Sequence, residues 1–233
     1  MSLIRRRLRL SDERGFTLTE LLVAITVGLI VLMAAFMVLD RTITASGQIA
    51  DRTEALQRGR LAMGLISRQL RSQVCVGSTK PIVAANDTSV TFYGDLSDGS
   101  QPIKKRTLTY SSTTDTITES VVTGTGTYPT LAFTGTATSL PLLTKVEQIM
   151  DGSTARPIFR YYGYQTGTTN GTLVQLGSPL SSTDLGRVAV IKVGLRAFAV
   201  RPISKDADSA VIEDDVYVRV AVPTQLQGAP ECI

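Results

Sequence analysis

Gly15-Phe16-Thr17-Leu18-Thr19-Glu20, continued by the uncharged apolar run Leu21 to Leu39, decides how the rest of this chain is read. Five arginines (Arg5, Arg6, Arg7, Arg9, Arg14) stand before it, and the first charges after it are Asp40 and Arg41. As a helix rising ~1.5 Å per residue, the run is long enough for the ~30 Å hydrocarbon core of a bilayer. The one-sided positive charge predicts that the arginine-rich end stays in the cytoplasm. A secretory signal puts its apolar core before a small-residue cleavage site. Here the small residue, Gly15, lies between the basic leader and the apolar run, so a cut there discards the charges and keeps the anchor.

That order, with Phe16 after the glycine and Glu20 as the fifth residue of the product, resembles the leader of type IV pilins and type II secretion pseudopilins. The resemblance implies that a membrane aspartic peptidase, the prepilin peptidase, cleaves between Gly15 and Phe16 and methylates the new amino group of Phe16. It also implies a partner for Glu20, the amino terminus of Phe16 in an adjacent subunit. A carboxylate at the edge of an apolar helix is costly unless paired, which is why Glu20 needs such a reason. The competing reading is a plain signal anchor with an interfacial Glu20.

No proline occurs before Pro81, and Gln48 to Val74 keeps a helical pattern in which Ile49, Leu56, Met63 and Leu70 recur every seven residues, joined by Ile66 and Val74. A single helix from Phe16 to about Gln73 is expected, roughly 90 Å at ~1.5 Å per residue. Gly77 and Pro81 supply its stop. Gly28, Gly47, Gly59 and Gly64 each weaken it; Gly59 falls in the stripe, where a missing side chain lets a sheet approach, while Gly28 and Gly47 are places where the helix can loosen. Major pilins usually carry a proline partway along this helix, which this chain lacks. Glu54 to Met63 and Leu65 to Arg71 resemble the corresponding helix of PilW-type minor pilins and of the J-type pseudopilin; an ordinary amphipathic helix is the alternative.

After Gly77 the composition turns to Thr, Ser, Gly and Val, with short alternating runs. Strands are expected at 89–93, 106–110, 115–122, 142–150, 158–164, 173–176, 187–200 and 216–222. Turn signals separate them: Asn86-Asp87, Ser97-Asp98-Gly99, Asp151-Gly152 and Asn170-Gly171. The stretch 114–138, rich in Thr and Gly, is expected to be a flexible hairpin or partly disordered. Helix first and strands afterwards predicts an α+β fold, with an antiparallel sheet on the helical stripe. The runs 142–149, 158–162 and 188–193 also resemble the sheet of those minor pilins. The expected domains are a cleaved leader (1–15), a transmembrane helix (16–39), its amphipathic continuation (40–76) and a β-rich domain (77–233).

The formal charge of +4 lies largely in the leader: removing five of 24 basic and two of 20 acidic residues leaves 19 against 18. The pI therefore says little about nucleic acid. With no His in the chain, Ser/His/Asp and Cys/His catalysis and most zinc chemistry are excluded. No Gly-rich phosphate loop opens a helix, and no cofactor is implied. Cys75 and Cys232 lie in the exported part, where disulfides persist; one bridge is expected, with two free buried thiols as the alternative.

Asp206, Asp208, Glu213, Asp214 and Asp215 form the densest acidic group. Some pseudopilins bind calcium near their C-terminal end, but the spacing is not an EF-hand, and a solvated loop before the last strand is the favoured reading. Lys104-Lys105-Arg106, with Tyr93 and Tyr110 near in sequence, is either a stacking surface for single-stranded DNA or, the favoured reading, a charged strand end. Tyr161, Tyr162 and Tyr164 alternate across a sheet between core and edge.

Together these readings predict a minor pilin of a type IV pilus, in a priming or tip-proximal role. The alternatives are a type II secretion pseudopilin, a filament-exposed module for surface adhesion or DNA uptake, and a membrane-anchored enzyme. The implied partners are the prepilin peptidase, other major and minor pilins through the N-terminal helix, the inner-membrane assembly platform, and membrane lipid before assembly. The N-terminus would be cytoplasmic and the C-terminal domain extracytoplasmic.

Overall fold

The computed structural model describes residues 15–96, 102–165, 171–201, 209–218 and Cys232. Its contacts divide the chain into two units, Met1–Gly47 and Gln48–Ile233. One helix, α1, runs over Leu18–Arg71. It begins two residues later than Phe16, with Thr17 as its cap: the Thr17 hydroxyl accepts the Glu20 N–H at 3.3 Å. The helix is unbroken through Gly28 and Gly47.

Its end is set before Gly77. Ser72 donates its N–H and its hydroxyl to the Gln69 carbonyl, at 3.0 and 2.7 Å. Val74 then donates to the Tyr93 carbonyl, so the chain leaves the helix directly into a bridge with a strand.

The second unit holds the strands. β1 (Ile82–Ala85), β2 (Ser89–Gly94), β3 (Lys104–Ser111), β4 (Thr116–Thr123) and β5 (Thr138–Thr144) form a five-stranded antiparallel meander in chain order. β6 (Val146–Glu147), β9 (Phe159–Tyr164), β10 (Leu173–Gln175), β11 (Val188–Phe198) and β12 (Ser209–Tyr217) form a second antiparallel sheet in the order β10-β9-β11-β12, with β6 also on β11. β7 (Met150–Asp151) and β8 (Thr154–Ala155) make a small hairpin. The α+β expectation is met, but with two main sheets instead of one.

Inner side chains of both sheets share one core with the helix. Val90, Phe92, Leu108 and Ile117 come from the first sheet, Phe159, Tyr161, Ile191 and Leu195 from the second, and Ala62, Met63, Ile66 and Leu70 from α1. Gly59 lets the second sheet approach: a Cβ there would lie 2.2 Å from Ile212 Cδ1 and 3.1 Å from Ala197 Cβ.

Several expectations are corrected. The run 142–150 is not one strand; Lys145, at φ +58°, ends β5 and turns the chain into β6 of the other sheet. β1 was not anticipated. In the stretch 114–138 the hairpin is met: β4 pairs antiparallel with β5, with a bridge between Thr125 and Ala132 in the connection. The last strand begins at Ser209 rather than Val216, and residues 219–222 lie outside the described residues. Ile49 is exposed rather than part of the buried stripe, and Val74 lies beyond the helix, half-buried.

Candidate processing and assembly site

Gly15, Phe16 and Thr17 precede the helix in non-helical conformation, and Phe16 keeps 82% of its surface exposed. A peptide bond in this position is accessible and free of helical hydrogen bonds. Thr17-Leu18-Thr19-Glu20 has the capping-box pattern, and the structure shows its first half, the Thr17 hydroxyl receiving the Glu20 amide. A carboxylate in the first turn also suits the positive end of the helix dipole. Glu20 is exposed, and its carboxylate has no partner among the described residues.

From Leu21 to Leu39 every residue is exposed. The helix is long and apolar enough to cross a membrane, with a mean hydropathy of 2.9 over its most apolar window. The hydroxyls carried along it turn back onto the helix: Thr26 donates to the Val23 carbonyl and Thr42 to that of Val38, both at 2.8 Å. Such back-bonding keeps polar atoms satisfied in an apolar medium.

In the second unit, polar groups fasten the helix to both sheets. Arg58 donates to the Phe198 carbonyl at 2.7 Å and to the Thr144 carbonyl at 2.9 Å, gripping the ends of β11 and β5. Glu54 accepts the Val200 N–H at 3.2 Å. Ser67 donates to Asp214 of β12. Gln69 donates at 2.8 Å to Glu119 of β4, which also accepts from Arg106 of β3; all three are buried. None of Arg58, Gln69 or Glu119 was singled out from the sequence. The available signal was Glu119, placed between Ile117 and Val121 on the inward side of an alternating strand. Cys75 and Cys232 are joined, with Sγ atoms 1.99 Å apart.

The remaining candidates are dispersed. Asp206 and Asp208 lie outside the described residues. Glu213, Asp214 and Asp215 belong to β12, not to a loop, because strand alternation gives each a partner. Asp214 faces Ser67 on the helix, while Asp215 pairs with Lys192 at 3.0 Å and Glu213 with Arg160 at 2.8 Å. Asp214 and Asp215 therefore point to opposite faces and do not converge on one ion. Asp215 raises the Lys192 pKa, and Glu213 followed by Asp151 raises that of Arg156.

The basic cluster is split as well, Arg106 being turned inward onto Glu119. Tyr110 is buried, its pKa pushed up by desolvation and then by Asp115 and Glu147, and Tyr93 lies against Phe133 with ring centroids 4.7 Å apart. Tyr161 is in the core, donating to the Asn86 and Ser89 carbonyls, while Tyr162 and Tyr164 are half-buried on the other face.

Residues 10–36 match the prokaryotic N-terminal methylation motif. With the exposed apolar helix and the antiparallel sheets, the match supports the class of type IV pilins and pseudopilins, membrane-anchored through the N-terminal helix. Motif and fold alike point to a structural subunit rather than an enzyme. No curated protein matches the chain.

Proposed function

We propose that this chain is a minor pilin, a structural subunit of a type IV pilus assembled from the membrane. Prepilin peptidase cleaves between Gly15 and Phe16 and the Phe16 amino group is methylated. The helix then leaves the bilayer to join other major and minor pilins through the inner-membrane assembly platform. Glu20 pairs with the amino terminus of a neighbour's Phe16, a charge-assisted contact strengthened by apolar surroundings. The helix without proline over Leu18–Arg71 supports a minor, priming or tip-proximal role over that of the major subunit.

The observation that carries this reading is Gly15-Phe16-Thr17-Leu18-Thr19-Glu20 placed before a helix whose apolar residues Leu21 to Leu39 are all exposed. Mass spectrometry of the protein isolated from its host tests it. An N-terminal methylated Phe16 is expected; retention of Met1 to Arg14, or a cut beyond Leu39, overturns it. Glu20→Gln should leave cleavage intact while removing the chain from sheared filaments.

A further inference from the structure

Two glycines lie on α1 within the second unit, and they have different explanations. At Gly59 the second sheet occupies the space a side chain would need, whereas a Cβ on Gly64 would meet nothing within 4 Å. Glycine is the poorest helix former after proline, so at Gly64 the chain carries a weak residue with no use for it in its own packing. Gly64 sits in the middle of a stripe of exposed positions, Arg60, Leu61, Leu65, Arg68 and Arg71, at the three- and four-residue spacing of one helix face. Leu61 keeps 71% of its surface and Leu65 keeps 37%. Arg60, Arg68 and Arg71 have no hydrogen-bond or ion-pair partner among the described residues. An open groove runs along each side, one of about 360 Å³ bounded by Leu61, Leu65 and Pro141, the other of about 600 Å³ bounded by Gly64, Arg68 and Asp95.

We propose that this face seats a helix of a different subunit, one presenting carboxylates around an apolar centre, with Gly64 as the point of closest approach. The proposal rests on the filament reading above and names the kind of neighbour it requires. A helix is favoured because Leu61 and Leu65, four residues apart, form a ridge beside the notch at Gly64, and a ridge next to a notch is the surface that another helix packs on. A lipid or nucleic-acid phosphate would use the arginines but has no need of the notch.

A second copy is disfavoured by charge. From Asp40 to Arg71 the helix carries six arginines against Asp40, Asp51 and Glu54, so like faces would set arginine against arginine. The face is also small. From Arg60 to Arg71 it is roughly 17 Å long, too short to bury the ~800 Å² per partner of a stable interface, so the contact forms only among subunits already concentrated in an assembly.

The test uses the full chain in its host, with a benzophenone amino acid at Leu61 and filaments sheared from the cells. The expected adduct is with a helix of another subunit, within reach of Asp or Glu. The R60E/R68E/R71E variant should be cleaved normally yet fall at least tenfold in the filaments, and Asp/Glu→Lys changes on the partner should restore it. G64L should lose incorporation while its globular unit melts no earlier than wild type. An adduct with a second copy, with lipid or with DNA, or no adduct, overturns the proposal. So does undiminished incorporation of both variants while wild type is present. Wild type absent from the filaments overturns the filament reading itself and this proposal with it.

Discussion

Removing the Glu119 carboxylate tests whether the helix is fastened to the first sheet by electrostatics or merely by contact. Arg106, Glu119 and Gln69 keep 8%, 7% and 5% of their surface, and Glu119 accepts from both of the others. Glu119→Ala leaves a guanidinium and an amide donor without their acceptor in the core. Breaking a buried pair from one side costs about 3–5 kcal/mol, because the surviving charge is stranded. For a unit the size of Gln48–Ile233 that is a fall of roughly 6–20 °C in Tm. The triple variant R106M/E119L/Q69L removes every stranded group and should recover most of the loss, since well-packed apolar replacements of buried pairs are neutral or stabilising. Urea titration of the unit from Gln48, followed by near-UV circular dichroism, measures both. A loss below about 1 kcal/mol in Glu119→Ala, or a triple variant weaker than the single one, would refute the account.

The two helix glycines should respond in opposite directions. Gly64→Ala, in open space, should stabilise by up to about 1 kcal/mol, and Gly59→Ala, driven against Ala197 and Ile212, should cost about 1–2 kcal/mol net, both read from denaturant midpoints. Cys75→Ser with Cys232→Ser opens a loop spanning 157 residues; in the chain-entropy model the loss is about 5 kcal/mol, and reductant should lower the wild-type midpoint similarly. Tyr161 is held neutral by burial and by Asp87, so its folded pKa lies above the unfolded value. The stability this gives is complete below the unfolded pKa near ~10 and falls as pH rises toward the folded value, by about 1.4 kcal/mol per pH unit. Tyr161→Phe should flatten that slope in urea titrations at increasing alkaline pH, even though it loses the hydrogen bonds to Asn86 and Ser89.

What could be read in the sequence was what depends on neighbours along the chain. The helix, its lack of proline and the Asn86 turn, whose side chain accepts the Thr88 and Ser89 amides, are of this kind. So is the Asp151-Gly152 turn, with Gly152 at φ +62°. The stripe was read on the wrong residues at its start. A seven-residue repeat drifts about 20° per heptad on a straight helix, so the series from Leu70 back to Ile49 leaves the buried face. The face actually buried runs through Ala55, Gly59, Ala62, Ile66 and Leu70, and its small members carry little hydropathy.

The acidic strand was missed for a different reason. Glu213-Asp214-Asp215 has poor strand propensity alone, and what overrides it are Arg160, Lys192 and Ser67, far away in the sequence. The division into two sheets turns on the backbone of one residue, Lys145, which no apolar pattern marks.

On the proposed function, the energetics of assembly must be carried by few groups. The exposed Leu21–Leu39 surface is covered by lipid before assembly, and lipid tails are as apolar as the helices that replace them. The burial of about 25 cal/mol per Å² that drives apolar contact from water is therefore largely absent from the transfer. What does change is the surroundings of groups that lipid cannot satisfy. Glu20 is one, a carboxylate with no partner among the described residues. A second set, Arg60, Arg68 and Arg71, lies in the globular unit and is without a described partner. Packing can add to these, but packing of one apolar helix resembles packing of another. The choice of neighbour has to come from where the charges stand along the helix, and from Gly64, where the globular unit's part of the helix leaves its backbone bare.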